Sequence, residues 1–243
     1  MSELGRFVLA LAIVNAAWSS IAFAEQPPGC GLVEPLYRVP LKEAGQSGVC
    51  VQGDRLYLTI HKPLTGSLKG GHFFSSDIVG QCFDKHTGKL LWEVDLPGSY
   101  AGRVLESWHD STSLLPVADE HHVVFHNLNG RMACYSPTGE LRWKRDWLAP
   151  DPDIKNSRMF LHDGCVIVAL PSDRIAVAAS KMHPALPFYQ LRAIELATGR
   201  ERWVSPTLLS HATQYSLDTW RGRRVIVASI VDLSHWKFRQ GQK

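Results

Sequence analysis

Three copies of one stretch of sequence decide the fold of this chain: CFDKHTGKLLW at residues 82–92, CYSPTGELRW at 134–143 and AIELATGRERW at 193–203. In every copy a Thr-Gly pair is followed by a tryptophan five residues after the threonine. These tryptophans, Trp92, Trp143 and Trp203, recur at intervals of 51 and 60 residues. Recurrence at such intervals is typical of repeat proteins, in which one supersecondary unit packs against the next.

Each Thr-Gly pair is predicted to form the corner between two antiparallel strands. Residues on both sides of the pair have strand-compatible spacing, and a glycine can adopt the positive φ that a tight corner or bulge needs. The polar residue upstream, Asp84, Ser136 or Glu195, can accept hydrogen bonds from amides of the turn. The tryptophan then offers a large apolar surface and one N–H donor to the neighbouring repeat.

These residues resemble the tryptophan-docking motif of PQQ-like (quinoprotein dehydrogenase-like) β-propellers, which reads Ala-x-Asp-x-x-Thr-Gly-x-x-x-Trp. The first and third copies match it apart from Cys82 in place of alanine and Glu195 in place of aspartate. The second copy lacks one residue and has Ser136 at the acidic position. The resemblance covers about residues 47–231 and implies an all-β chain folded as a β-propeller of four-stranded antiparallel blades.

The predicted domain organisation follows the repeats. Three complete blades span about residues 47–96, 113–147 and 157–206, and a partial fourth spans 213–231. In the second blade we expect strands at 113–118, 122–126, 131–135 and 141–144, with Asn129-Gly130 as a hairpin turn. Insertions at about 62–76 and 171–187 lengthen the middle hairpins of the first and third blades.

The partial fourth blade has two predicted strands and no Thr-Gly corner. Closed propellers typically have at least four blades, so an incomplete ring is expected. Three explanations stay open: residues 30–43 add outer strands, another chain completes the disc, or the chain is a shortened copy of a longer ancestor. An unclosed end leaves an apolar strand edge, which favours self-association.

Residues 1–24 are predicted to be a signal peptide, followed by an N-terminal linker over 25–46. The leader has a basic Arg6, an apolar run over 7–14 and small residues before a cleavage site after Ala24. An uncleaved membrane anchor is the alternative. No lipobox precedes Cys30, and no later segment is long and apolar enough to span a membrane. We therefore expect a periplasmic or extracellular protein.

Composition and cysteine content add little about chemistry. A net charge of +3 with interspersed signs does not indicate a nucleic-acid surface. The five cysteines are an odd number, so at least one is unpaired within the chain. Cys82 and Cys134 occupy the motif position that Ala193 fills in the third copy, and we expect them to be small buried apolar residues rather than a disulfide.

No catalytic, cofactor-binding or metal-binding residues are predicted. The densest histidine group is His121, His122 and His126, but on one strand His122 and His126 would stand about 13 Å apart at about 3.3 Å per residue. Short metal–nitrogen bonds cannot bridge that distance. Motifs of serine hydrolases, zinc proteases, phosphate-binding loops and Cys-x-x-Cys redox proteins are absent, and Asp110, Asp151 and Asp153 lie in polar linkers.

The resemblance also bears on function. PQQ-dependent dehydrogenases of this family hold the quinone and Ca²⁺ at the centre of a larger closed disc, and no ligand set of theirs can be matched to this sequence. We therefore expect a non-catalytic protein-binding or assembly scaffold without a cofactor, whose partners are exported or envelope proteins. The propeller component of the outer-membrane β-barrel assembly machinery is the nearest functional analogue. A divergent or truncated PQQ- and Ca²⁺-dependent dehydrogenase is the alternative.

Overall fold

The structure is a computed structural model that describes residues 35–63, 73–98, 103–105, 111–128, 130–146, 158–171, 189–206 and 215–228. Throughout these ranges the chain is all-β, and the prediction of a β-propeller is confirmed. The predicted leader, the third-blade insertion after residue 171 and the last residues, 229–243, lie outside the described ranges. Strands are numbered here in chain order.

Three four-stranded antiparallel sheets form the blades. In spatial order, the first contains β1 (Cys50–Gln52), β2 (Arg55–His61), β4 (Ile78–Asp84) and β5 (Leu90–Leu96). The second contains β7 (Val117–Ala118), β8 (Val123–His126), β9 (Arg131–Tyr135) and β10 (Leu141–Asp146). The third contains β11 (Phe160–His162), β12 (Cys165–Pro171), β13 (Tyr189–Glu195) and β14 (Glu201–Val204).

A fourth, partial sheet contains β15 (Tyr215–Trp220) and β16 (Arg223–Ala228). Within the described ranges these two strands pair only with each other. Tyr215 nevertheless belongs to the core of the third blade, because its hydroxyl accepts a hydrogen bond from the Ala169 amide at 3.1 Å and also bonds the Arg158 carbonyl. The fourth sheet therefore packs as the next blade.

Two-residue turns connect the first and second strands of three sheets. At Gly53-Asp54, Asp163-Gly164 and Arg221-Gly222 the flanking residues pair directly across the hairpin. All three glycines have a positive φ, as do Asp163 (φ 50°) and Arg221 (φ 49°). Positive φ values at turn positions match the twist of the flanking strands.

Two features of the strands differ from the sequence prediction. The first strand of the second blade is only β7, because Ser111 and Thr112 form a turn and Pro116 has no amide hydrogen to donate to a ladder. The predicted insertion over 62–76 contains β3 (Phe73–Ser75), which pairs with β6 (Arg103–Leu105) in a separate two-stranded sheet. Neither short strand carries a pattern that distinguishes it from a loop.

The core lies between consecutive sheets. One cluster joins the first sheet to the second, with Tyr57, Phe125 and Tyr135 among its largest members, and another joins the second to the third and to Tyr215. The short first strands β1, β7 and β11 are neighbours, and the fourth strands have largely exposed outer faces. Adjacent first strands and diverging fourth strands are the arrangement of propeller blades around a common axis.

Candidate functional site

The three Thr-Gly corners share one backbone design. In each, the tryptophan pairs with the small residue that begins the motif: Trp92 with Cys82, Trp143 with Cys134 and Trp203 with Ala193. The ladder shifts register immediately before each tryptophan, which leaves one extra residue on the fourth strand. Such a bulge re-aims the side chains that follow it, here the indole.

The second copy of the motif is one residue shorter than the other two, and its turn is correspondingly tighter. Gly88 and Gly199 donate their amides to carbonyls four residues back, at 2.9 and 2.8 Å, whereas the Gly139 amide bonds the Ser136 carbonyl three residues back, at 3.0 Å. All three glycines have a positive φ, between 69° and 90°. A tighter turn therefore preserves the position of the tryptophan relative to the corner.

The polar residue of the motif stabilises the turn, as predicted for the first two copies. Asp84 Oδ1 accepts hydrogen bonds from the Thr87 hydroxyl and amide, both at 2.8 Å, and from the His86 amide at 3.0 Å. The bonds from Thr87 hold the pKa of Asp84 below its usual value. Ser136 Oγ accepts from the amides of Thr138 and Glu140.

Trp92 connects the first blade to the second. Its Nε1 donates to the Pro137 carbonyl at 2.9 Å, inside the corner of the second blade. Its ring packs near Phe125 and Tyr135 of that blade, with ring centroids 6.1 and 6.3 Å away. The indole is thus shared between two sheets, as the sequence predicts for a docking tryptophan.

Trp143 repeats the contact between the second blade and the third. Its Nε1 donates to the Leu196 carbonyl at 2.7 Å, and the residue is only 8% exposed. Arg145, two residues further along the strand, donates to the Gly199 carbonyl at 3.1 Å. Two side chains from one strand therefore bind the next corner.

The first corner receives a donor from the predicted N-terminal linker, which sequence reasoning missed. The Tyr37 hydroxyl donates to the Lys85 carbonyl at 2.6 Å. Lys85 is equivalent to Pro137 and Leu196, since each follows the polar residue of its motif. Val39 and Leu41 pack against the core of the first sheet, so the segment is bound to the blade. Residues 35–49 contain no strand.

Apolar side chains are exposed on the last two sheets that the structure describes. Trp203 is 38% exposed, and on the fourth sheet Trp220 and Val227 are 60% and 53% exposed. The Arg221 guanidinium lies 4.5 Å from the centre of the Trp220 ring, a cation–π contact that leaves much of the ring in water. These residues form the candidate interaction surface, which we call the open end: Trp203 together with β15 and β16.

The three histidines His121, His122 and His126 lie in different surroundings. His126 is buried in β8, whereas His121 and His122 flank the turn in which Asp119 accepts from both of their amides. His122 Nδ1 also lies 3.1 Å from Asp119 Oδ1. Among the described residues, no three histidine, cysteine or acidic side chains are grouped as metal ligands would be. Asp110, Asp151 and Asp153 lie outside those ranges.

The cysteines that the structure describes are free thiols: Cys50, Cys82, Cys134 and Cys165. Cys82 and Cys134 are fully buried, as expected for small apolar residues at the motif position. Burial raises the pKa of the Cys134 thiol to about 12 and also raises the pKa of Cys82. Both thiols therefore stay protonated at neutral pH.

The carboxylates described by the structure do not suit a Ca²⁺–quinone site. Several are engaged in exposed turns or in ion pairs such as Lys62–Asp95, Arg131–Asp146 and Arg192–Glu201. Ca²⁺ takes six to eight oxygen ligands in proteins, which requires several such oxygens to converge on one point. The described residues provide no such convergence, so we assign none of them to a quinone or its metal.

The blades and their interlocking corners define a β-propeller protein with PQQ-like repeats. A family model described as outer membrane protein assembly factor BamB matches residues 34–207 and 75–243. The chain belongs to this family. No curated protein matches the sequence. Among the described residues, no helix has the length and apolar character needed to cross a membrane.

The chain is also similar to several solved structures. BamB from Moraxella catarrhalis is 19% identical with a TM-score of 0.38, over 71% of this chain and 39% of that one. A quinohemoprotein alcohol dehydrogenase from Comamonas testosteroni is 11% identical with a TM-score of 0.35, over 76% and 39%. A europium-containing methanol dehydrogenase is 12% identical with a TM-score of 0.38, over 68% and 26%. This chain therefore spans less than two fifths of the length of these three proteins.

Proposed function

We propose that this chain is a non-catalytic, exported β-propeller that binds envelope proteins and serves as a scaffold for their assembly. The observation that carries the proposal is the open end, where Trp203, Trp220 and Val227 expose apolar side chains beside a two-stranded sheet. Exposed apolar patches and unpaired strand edges are the surfaces on which proteins bind one another. Membership of the assembly-factor family supports the same class of function.

The contacts of the motif tryptophans also favour a structural role for them. Trp92 and Trp143 use their only polar atom, the indole N–H, to bind the corner of the next blade. An indole bound in this way has no donor left for a ligand. The proposal therefore gives these two residues the task of holding blades together and assigns binding to the open end.

Site-specific photo-crosslinking in intact cells tests the proposal. A photoreactive residue at position 220 should give adducts with envelope proteins, because Trp220 lies at the open end. The matched control is position 89, where Lys89 is exposed on the corner of the first blade. Equal labelling at both positions, or none at position 220, would contradict the proposal. Export is tested in the same cells by fractionation and by sequencing the mature N-terminus, expected to begin after Ala24.

Cofactor binding separates the proposal from the dehydrogenase alternative. PQQ and Ca²⁺ are added to the purified full chain, and quinone absorbance is followed together with dye-linked oxidation of alcohols. The proposal predicts neither retention of the quinone after gel filtration nor alcohol-dependent reduction of the dye. Stoichiometric quinone that survives gel filtration would overturn the proposal in favour of a divergent dehydrogenase.

A further inference from the structure

The corner of the first blade is closed in the same way as the corners of the second and third, but by a different kind of residue. Each acceptor is the carbonyl of the residue that follows the polar residue of its motif: Lys85, Pro137 and Leu196. The second and third carbonyls accept from the indoles of Trp92 and Trp143, whereas the first accepts from the Tyr37 hydroxyl at 2.6 Å. Tyr37 therefore has the place of a docking tryptophan at the first corner.

The corner glycines show the same equivalence. A Cβ added to Gly199 would lie 2.7 Å from the Trp143 ring. At Gly88 the added Cβ would lie 2.7 Å from carbon atoms of Tyr37 and of Val39. A corner of this fold thus admits either an indole from a blade or a phenol from an extended segment, because its glycine has no side chain.

Residues 35–42, here called the strap, continue from this corner onto the apolar surface of the first sheet. Val39 and Leu41 pack on a cluster whose buried members are Leu56, Leu58, Ile60, Val79 and Phe83. Lys42 then pairs with Glu93 of β5, with 3.1 Å between Nζ and Oε1. The strap therefore presents, in order along the chain, an aromatic donor, two aliphatic side chains at alternate positions and a cation.

The strap is bound to the blade by its side chains. It contains no strand, each of its residues is exposed or half-buried, and no backbone hydrogen bond joins it to another described residue. Backbone bonds begin just after the strap, where the Ala44 carbonyl accepts from the His61 amide at 2.9 Å and the Gln46 amide donates to Thr112 Oγ1 at 2.7 Å. A segment held in this way opens locally at a lower free energy than a strand of the sheet.

We propose that the first corner and the apolar surface beneath the strap form a binding groove, which the strap covers and an extended segment of another protein enters. The partner segment has the chemistry of the strap: tryptophan or tyrosine, aliphatic residues two and four positions further on, and then lysine or arginine. Its aromatic donor binds the Lys85 carbonyl, and its cation pairs with Glu93. That the partner is an envelope protein rests on the proposed function, but the groove does not.

The charge of the groove and its aromatic position identify this occupant. The strand β5 carries two carboxylates, Glu93 and Asp95, and no basic residue, so the groove favours a segment that brings a cation. The two equivalent corners both bind an indole, through Trp92 and Trp143, so tryptophan is the preferred aromatic residue. Apolar area removed from water on the cluster beneath the strap then adds to the affinity.

The strap inhibits binding because it competes from within the same molecule. A tethered segment acts at an effective concentration far above that of a free partner in dilute solution. The apparent affinity for a partner is therefore reduced by the fraction of molecules in which the strap is released. The ion pair of Lys42 adds little to the hold of the strap, since an exposed pair contributes little. Weakening Tyr37 and Val39 should thus be sufficient to open the groove.

Fluorescence anisotropy on the purified full chain tests the proposal with labelled peptides. The probe is PLWRVPLKE, the sequence of residues 35–43 with tryptophan in place of tyrosine. Tyr37→Ala/Val39→Ala opens the groove and should bind the probe at least about tenfold more tightly than the unsubstituted chain does. Leu36→Ala is the matched control, because Leu36 is 73% exposed and its truncation should leave the affinity unchanged.

Two further peptides show whether the groove recognises this chemistry. Alanine in place of the aromatic residue removes the ring and the donor, and it should weaken binding to the open variant at least about tenfold. Glutamate in place of the lysine should weaken binding about threefold. Adding Glu93→Lys to the open variant should restore the affinity for this glutamate peptide, because the two charges are then exchanged.

The proposal is overturned if the open variant is folded by circular dichroism and binds the probe no better than the Leu36→Ala control. Equal binding of the alanine peptide would also overturn it, since the contact would then be non-specific. If Tyr37→Ala/Val39→Ala does not fold, Tyr37→Phe takes its place. It removes only the hydrogen bond of the strap and should raise the affinity for the probe about threefold. No increase would overturn the proposal. Crosslinking at position 220 does not depend on these results, so the groove and the open end can fail separately.

Discussion

Gly199 lies directly beneath the indole of Trp143, so a Cβ added to this glycine would lie 2.7 Å from Cγ and Cδ2 of the ring. Gly139 has the same relationship to Trp92. The glycine of one repeat is thus required by the tryptophan of the repeat before it. Thr-Gly and tryptophan recur together because each copy provides the corner for one neighbour and the indole for the other.

Gly199→Ala should destabilise the protein much more than Gly164→Ala. The two glycines have nearly the same backbone, with φ of 69° and 68°, so both substitutions incur the left-handed strain of about 1–2 kcal/mol. Only at Gly199 does the new methyl group meet an indole, which adds about 1–3 kcal/mol for overpacking, whereas a Cβ added to Gly164 would have no atom within 4 Å. Urea denaturation of both variants measures the difference. Equal losses would show that the ring moves away without cost.

Trp143→Ala should cost far more stability than Trp203→Ala. Trp143 is 8% exposed and bonds the Leu196 carbonyl, so truncation leaves a cavity and a buried acceptor, for a loss of about 3–5 kcal/mol. Trp203 is 38% exposed, and its N–H has no acceptor within the described ranges, so a loss below about 2 kcal/mol is expected. Thermal unfolding of both variants checks the order. Similar losses would mean that Trp203 is docked after all.

The repeat motif alone was enough to predict the blades, because the corner is a local structure. Asp84, Thr87 and Gly88 form hydrogen bonds within six residues of sequence, and the bulge aims Trp92 whatever lies beyond it. The acceptor on the next blade, the Pro137 carbonyl, is 45 residues away. It was predictable only as the corner of a second copy.

The packing of residues 35–41 could not be predicted from the sequence, because it is imposed by the first blade. Residues 35–41 read PLYRVPL, and the sequence leaves open both a linker and added outer strands over 30–43. The available signal was the alternation of Tyr37, Val39 and Leu41, which places three apolar side chains on one side of an extended chain. Their packing depends on the core of the first sheet and on the corner at Gly88, which lie further along the chain.

His126 should make stability fall as the pH is lowered below about 6.5. Complete burial in β8 lowers the pKa of His126 to about 3, from an ordinary value of 6.5. The unfolded chain therefore binds a proton that the folded chain does not bind between these two values. The contribution of His126 to the free energy of unfolding is fully present above about pH 6.5. It is lost as the pH falls toward 3, by up to about 1.4 kcal/mol per pH unit.

Urea denaturation between pH 4.5 and 6.5 checks this prediction, because depressed carboxylates such as Asp84 titrate mainly below that range. In His126→Gln, unfolding should take up about one proton fewer in this pH range. The slope of the unfolding free energy with pH should therefore be smaller, whatever the stability of the variant at pH 7. His121→Gln is the control, since His121 is exposed in the turn before β8. An unchanged slope in His126→Gln would show that His126 is not the group responsible.

Asn127→Ala should destabilise the junction of the first two blades by about 2–4 kcal/mol. The side chain is fully buried, and its Nδ2 donates to the carbonyls of Ser76, at 2.8 Å, and Leu96, at 3.0 Å. Removing the amide leaves two first-blade carbonyls without this donor, at about 1–3 kcal/mol each where no water replaces it. Asn127→Asp is the sharper test, because it keeps the shape but places oxygens against oxygens. Urea denaturation should show that Asn127→Asp loses at least as much stability as Asn127→Ala. A smaller loss in Asn127→Asp would show that packing, and not the two hydrogen bonds, makes this residue important.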